Sequence, residues 1–270
     1  LQTMKMRLNL KMGAGGALDE YVKALFYAGE KGAWYDPSDF STMWQDSAGT
    51  TPVTAAGQVV GKILDKSGNG RHMLQAGVST IRPVLTLDSN NKYHLLFDGI
   101  DDYMSCASFD MSDSDKVTVF TSMAKLSDAL AGTLVELSAV IGSNAGAFAV
   151  LAPSTAVTGI NILFGSRGST TAVFPSKTSQ AASTTPRAVI SIGDINSPNA
   201  EIRVDDLSAV TVVTTQGSGN YGNHTMYLGR RAGTSNPFNG RMYSMIIRGG
   251  ASSAVEIANI KKYIKSKAGI

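Results

Sequence analysis

The sequence predicts an all-β fold: two antiparallel sheets packed face to face, with one short helix before them and one after. Three observations predict it. Short apolar segments with alternating side chains recur along the chain from residue 34 onward. Turn-forming clusters such as Ser67-Gly-Asn-Gly70, Asp88-Ser-Asn-Asn91, Asn196-Ser-Pro-Asn199 and Gly217-Ser-Gly-Asn220 punctuate them. Helical patterns do not alternate with the strands, which argues against a parallel βαβ sheet and for a sandwich or barrel.

Taken in order, residues 1–17 read as an arm or connector that ends in the hinge Gly13-Ala-Gly-Gly16. Leu18, Tyr21, Val22, Leu25 and Phe26 then fall at helical spacing, which predicts a helix over 18–28 stopped by Gly29 and Gly32. Strands are expected over 58–64, 82–87, 92–97, 103–107, 116–125, 134–141, 147–152, 160–165 and 187–193, with Ile202, Val204, Val210, Val212, Met226 and Leu228 in later ones. Val117, Val119, Thr121 and Met123 share one face of their strand. The last strand, 241–248, alternates Met242, Ser244, Ile246 and Arg248 against Tyr243, Met245 and Ile247. A second helix is expected over 253–267. Ser253 and Glu256 have the spacing of a capping box, Ile257, Ile260 and Ile264 form its apolar stripe, and lysines favoured by the helix dipole fill its later turns. Residues 18–270 therefore read as one domain.

Composition narrows the function. Of 270 residues, 43% are hydrophobic and 17% charged, enough apolar material for a core; 28 glycines suit many tight turns. The net charge of +3 gathers at the ends, with Lys5, Arg7 and Lys11 near the start and Lys261, Lys262, Lys265 and Lys267 near the finish. No basic stripe with interleaved aromatics runs between them, so nucleic acid is not an expected partner. Cys106 is the lone cysteine and reads as a small buried hydrophobe, and His72, His94 and His224 lack metal-ligand spacing. No segment approaches the ~18 apolar residues of a membrane span. The first residues lack the apolar block of a secretory signal, so export by a signal peptide is not expected.

Catalytic patterns are missing. The five glutamates are Glu20, Glu30, Glu136, Glu201 and Glu256; only Glu201 with Asp205 has a carboxylate spacing suited to a glycosidase strand, and the Ile-Arg-Val between them reads as plain strand. There is no G-x-S-x-G elbow and no phosphate loop after a strand. The expected protein is not an enzyme. Binding candidates lie in two loops flanking one predicted strand, which supply Tyr221, Asn223, His224, Arg230, Arg231 and Asn236. Trp34 and Trp44 read either as core plugs or as sugar-stacking platforms.

Phe97-Asp-Gly-Ile-Asp-Asp-Tyr-Met104 comes early, and Phe238-Asn-Gly-Arg-Met-Tyr-Ser-Met-Ile-Ile-Arg248 comes late, followed by the capped terminal helix. This ordered set resembles the concanavalin A-like lectin/glucanase and laminin-G-like domains. Two front segments, Gly32-Ala-Trp-Tyr-Asp-Pro-Ser-Asp39 with Trp44-Gln-Asp-Ser-Ala-Gly-Thr-Thr-Pro-Val53, and Leu64-Asp-Lys-Ser-Gly-Asn-Gly-Arg-His72, resemble such domains in structural proteins of tailed bacteriophages and prophages. The resemblance implies an antiparallel jelly-roll sandwich. It also implies a virion protein made in the host cytoplasm and built in as a homo-oligomer, touching other virion proteins through the arm residues Lys5, Arg7 and Lys11. Three roles follow: a surface module of a tail fibre or tail tip that binds a host glycan or receptor, a structural or decoration subunit of head or tail, and a jelly-roll glycoside hydrolase. No cofactor or metal is expected: Asp98, Asp101 and Asp102 read first as caps of a strand turn at Gly99, and the resemblance implies a Ca²⁺ at Asp101 and Asp102 only as the alternative.

Overall fold

The computed structural model describes residues 14–154 and 160–270. Two antiparallel sheets pack face to face, as the sequence predicts. In chain order, α1 (Ala14–Ala24) is followed by β1 (Gly32–Tyr35), β2 (Met43–Trp44), β3 (Lys62–Ile63), β4 (Met73–Leu74), β5 (Val84–Leu87), β6 (Tyr93–Asp98), β7 (Met104–Asp110), β8 (Lys116–Lys125) and β9 (Thr133–Leu137). Then come β10 (Ala147–Leu151), β11 (Ile162–Arg167), β12 (Ala172–Val173), β13 (Ser176–Lys177), β14 (Arg187–Asp194), β15 (Asn199–Val204), β16 (Val210–Val212), β17 (Asn223–Leu228), β18 (Asn239–Arg248) and α2 (Ala254–Ala268). One sheet has the order β16-β15-β14-β8-β18-β6-β5, with β1 also on β18; the other has β12-β11-β10-β9-β17-β7-β4-β3-β2, with β13 on β11. No helix among the described residues is long and apolar enough to cross a membrane.

The first sheet is covered on both faces. Its inner face meets the second sheet through Val117, Val119, Met123, Val189 and Ile202. Its outer face meets α1 and α2 through Phe120, Ile190 and Ile246 against Val22, Phe26, Ile260 and Ile264. Each such large side chain taken from water contributes about 1.5–3 kcal/mol, which is why β8 and β18 are apolar on both sides. α2 begins with the expected capping box of Ser253 and Glu256 and ends on Gly269 in the left-handed region.

Neither helix among the described residues packs on the outer face of the second sheet, and this difference between the sheets positions the functional site.

Two local expectations change. α1 both starts and ends a turn earlier than its apolar spacing indicates, closing at Ala24 with 25–28 in turns, so Gly15 and Gly16 lie inside the helix rather than in a hinge. A helical glycine costs only about 1 kcal/mol relative to alanine, and the burial of Val22 and Phe26 outweighs it. In β18 the alternation breaks. Met242 faces Met123 and Ser244 faces Ser122, so Tyr243 is an extra residue. This bulge puts Met242 in the inter-sheet core with Met245 and Ile247, and turns Tyr243 toward Ala124 and Ala268. Lys5, Arg7 and Lys11 lie outside the described residues.

Candidate functional site

Antiparallel register places residues paired across neighbouring strands on the same face. Leu74, Ser105, Tyr227, Glu136, Ala149 and Gly165 are successive partners on β4, β7, β17, β9, β10 and β11. They form one row across the outer face of the second sheet. Leu74 is exposed, Ser105 and Tyr227 are half-buried, and Glu136, Ala149 and Gly165 are covered. The cover is the 138–146 loop: Ile141 donates its backbone N–H to Glu136 Oε1 at 2.6 Å and packs with Ala147, Ala149, Leu151 and Leu163. Arg167 Nη1 donates to the Gly142 carbonyl at 2.8 Å, and His224 Nε2 lies 2.9 Å from the Ala145 carbonyl, fixing the loop at both ends. Gly165 has no room for a side chain, since a Cβ there would sit 2.6 Å from Ile141 Cδ1 and 2.9 Å from Phe174 Cε1.

Beside the covered part of the row, toward β10 and β11, lies a shallow depression of about 380 Å³, bordered by Val140, Ile141, Leu163, Phe174, Arg231 and Asn236. Phe174 and Val140 are exposed. Arg231 Nε donates to Glu136 Oε2 at 2.7 Å. Burial pushes the Glu136 carboxyl up, and Arg231 beside it works against that rise. Asn236, in the left-handed region at φ 49°, shapes the loop beneath, and its carbonyl accepts the Thr133 N–H. A second depression of about 390 Å³ lies toward β4 and β7, bordered by Leu74, Ala76, Ile81, Tyr103 and Ala107. The arrangement offers one exposed aromatic ring, a mostly apolar wall and fixed polar groups, which suits holding a ligand. It does not suit hydrolysis by paired acids, which needs two carboxylates about 5–9.5 Å apart; Arg231 is the one charged group among the described residues bordering the first depression.

Of the sequence candidates, Arg231 and Asn236 meet at this depression. Arg230 is turned back on its own loop, donating to the Thr234 carbonyl. Asn223 accepts from the Ser108 hydroxyl, and His224 serves the loop. Trp44 is half-buried at the sheet edge, with Lys62 Nζ 5.4 Å from its ring centre. Two candidates are corrected. Trp34 is 2% exposed and Tyr221 is 1% exposed, so neither can stack on a ligand. The Trp34 indole N–H bonds the Tyr263 hydroxyl under α2, and the Tyr221 hydroxyl bonds Ser166 between the sheets, where burial raises its pKa. Each large ring is worth more inside than out, and each found a partner for its polar atom. Glu201 and Asp205 are each bonded to an arginine, Arg203 and Arg187, and do not form a site. Sequence reasoning missed Phe174 and the role of Glu136. A glutamate inside the apolar strand Thr133–Leu137 was the available signal.

The motifs carrying the family resemblance are built as structural caps. Asp65 accepts from the backbone of Trp34, Ser67 and Arg71, and the Asn69 amide donates to the carbonyls of Glu30 and Gly32. Gly99, at φ 77°, makes the turn between β6 and β7; Asp98 Oδ1 accepts from the Ile100 and Asp101 N–H groups and Asp102 Oδ2 from Asp98 N. Asp98, Asp101 and Asp102 each offer a carboxylate oxygen within 4.8 Å of the others. Burial, with the neighbouring Asp98 and Asp101 charges, raises the Asp102 pKa to about 7. A cluster of hard oxygen donors short of positive charge fits a divalent cation chemically.

A larger depression of about 440 Å³ lies on the helix side, bordered by Asp19, Lys92 and Lys267 among others. Two of its bordering charges, Asp19 and Lys267, belong to an ion-pair network. Lys267 bridges Asp19 and the buried Asp36, and Lys66 bridges Asp36 and Asp39. Burial works against the Asp36 charge, but Lys267 and Lys66 hold its pKa below the usual range. This network joins α1 and α2 to the chain at the end of β1.

No protein-family model matches the chain, and no curated protein matches it in sequence. Solved structures match in fold. A GH54 α-L-arabinofuranosidase soaked with a cyclic sulfate inhibitor aligns with TM-score 0.59 at 14% identity, over 92% of this chain and 65% of that one. An arabinofuranosidase complexed with arabinofuranosyl-α-1,2-xylobiose aligns with TM-score 0.55 at 14% identity, over 78% and 51%. Botulinum neurotoxin type C, in a structure described by its dependence on two ganglioside molecules for cell entry, aligns with TM-score 0.52 at 10% identity, over 75% and 48%. The chain thus spans between about half and two thirds of the length of these proteins. At such identities the likeness defines a class by fold alone: a two-sheet antiparallel jelly-roll β-sandwich.

Proposed function

We propose that this chain is a lectin-like binding module that holds a glycan on the helix-free outer face of its second sheet and works without chemistry. The observation that carries the reading is the depression beside Phe174, where an exposed aromatic ring and an apolar wall adjoin the Arg231 guanidinium, fixed by Glu136, and the Asn236 side chain. Aromatic and apolar surfaces take the C–H faces of sugars, and fixed polar groups take their hydroxyls. One solved structure of similar fold is described in complex with arabinofuranosyl-α-1,2-xylobiose and another by an interaction with gangliosides, which agrees with this use of the sandwich. The binding reading is favoured over turnover because Glu136 is already engaged by Arg231 and the Ile141 N–H.

The bacteriophage setting rests on the front-end motifs. In that setting the module sits on the particle surface, in a tail fibre or tail tip, as repeated copies held to other virion proteins. The decoration-protein reading is favoured by one feature, the second depression, where Leu74 is 38% exposed and apolar side chains dominate the border. A Ca²⁺ at Asp98, Asp101 and Asp102 would supply the positive charge that Asp102 lacks; a rise in melting temperature with millimolar Ca²⁺, lost in Asp102→Asn, tests it. The test of the main reading is a glycan array on the full chain beside Phe174→Ala. Binding to a defined sugar class that weakens in the variant supports it. Binding to no sugar sinks it in favour of the assembly role.

A further inference from the structure

Arg231 is held in an unusual way for a surface arginine. Its Nε is engaged by Glu136, which is fully buried beneath it and fixed in turn by the Ile141 N–H. Its two terminal nitrogens make no hydrogen bond to any described residue, and its side chain is 21% exposed at the border of the Phe174 depression. The guanidinium is therefore oriented from behind and open in front. Its planar fork matches the two oxygens of a carboxylate. Arg167 sits behind the same loop and Arg230 beside Arg231, while Asp98, Asp101 and Asp102 border neither depression on this face. The apolar wall of Val140, Leu163 and Phe174 adjoins the fork.

We propose that the depression selects a sugar that carries a carboxylate, with the acid group on the terminal nitrogens of Arg231 and the ring's C–H face against Phe174 and Leu163. This refinement rests on the glycan-binding reading and names its ligand class. Glu136 is a positioning residue in it, since it touches the ligand only through Arg231.

The experiment is isothermal titration of the full chain at low ionic strength with four probes: oligogalacturonate, the same oligosaccharide with its carboxylates reduced to alcohols, sialyllactose, and a polyglutamate peptide. At least tenfold tighter binding of one carboxylate sugar than of the reduced oligosaccharide supports the proposal, and the two acidic sugars tell a uronate from a sialate site. Arg231→Lys keeps a cation beside Glu136 and loses the fork. With its fold checked by circular dichroism, it should lose that preference while retaining weak binding. Three results overturn the proposal: equal affinity for the acidic and reduced sugars, an unchanged preference in Arg231→Lys, or polyglutamate binding as tightly as the sugars. Each of these leaves glycan binding or general anion binding standing. Binding to none of the probes and to no sugar on the array overturns the proposal and the glycan reading together.

Discussion

Trp34 and Tyr263 lie 229 positions apart, and the indole N–H of the first donates to the phenol oxygen of the second at 2.8 Å, with the rings edge to face at 5.8 Å. Tyr263 in turn donates to Asp36 Oδ2 at 3.2 Å, so one hydroxyl joins α2 to β1 and satisfies two buried groups. Tyr263→Phe keeps the packing and removes that hydroxyl. It should cost about 1–3 kcal/mol, the penalty for a buried polar group left without its partner. Urea denaturation measures it, and a loss below a few tenths of a kcal/mol would show the bond to be unimportant.

Glu136 and Arg231 give a second test. Glu136→Ala leaves the covered Ile141 N–H without an acceptor and removes the partner of the part-exposed Arg231 guanidinium, and should cost about 1–3 kcal/mol. Glu136→Gln retains an acceptor for one of them and should cost clearly less. Equal losses in the two variants would mean that volume, rather than satisfaction of these donors, holds the 138–146 loop down.

Two buried groups oppose each other as pH changes. Burial raises the Asp102 pKa from 3.8 to about 7, so between those values the folded chain holds a proton that the unfolded chain has released, and stability falls as pH rises. Burial lowers the His94 pKa from 6.5 to about 4, so in that window the unfolded chain binds the extra proton and stability rises with pH. Each effect is of order 3–4 kcal/mol at full extent by the 1.36 kcal/mol-per-unit conversion, so they largely cancel between pH 4 and 6.5. Asp102→Asn should stabilise the chain at pH 8 by a few kcal/mol and unmask the acid lability due to His94. Melting temperature against pH for both proteins reads this; parallel profiles would contradict it.

Phe174 and Gly165 separate binding from stability. Phe174 is 42% exposed, so Phe174→Ala should change stability by less than about 1 kcal/mol while weakening saccharide binding about tenfold. Gly165→Ala puts a methyl against the ends of Ile141 and Phe174, displacing the wall of the depression. It should weaken binding while costing about 1–3 kcal/mol, as overpacking does. Unchanged affinity in both variants would move the site elsewhere on the fold.

Much of the local structure was legible because it is encoded over a few residues. The capping box of Ser253 and Glu256 formed as its spacing required, and the Gly99 turn took its Asp98 and Asp102 caps as the motif implied. The site was legible only in part. Arg231 and Asn236 stood out because polar residues in a loop after a strand have few structural duties, and both reached the depression. Trp34 and Tyr221 stood out for their size, which is also what drew them inside. Phe174 gave no signal, since one aromatic in a short loop has no periodicity to betray its direction.

By itself, then, the sequence determined the type of the longer elements, the caps of the second helix and the alternation that gives a strand two faces. Tertiary structure alone decided which face stayed open and which strands became neighbours. The row Leu74, Ser105, Tyr227, Glu136, Ala149 and Gly165 draws on six strands that follow chain order except at one place, where β17 inserts between β7 and β9. Alternation is a property of a single strand, whereas neighbour order, the bulge at Tyr243 and the docking of two helices on one sheet only are settled by burying the most apolar surface at once.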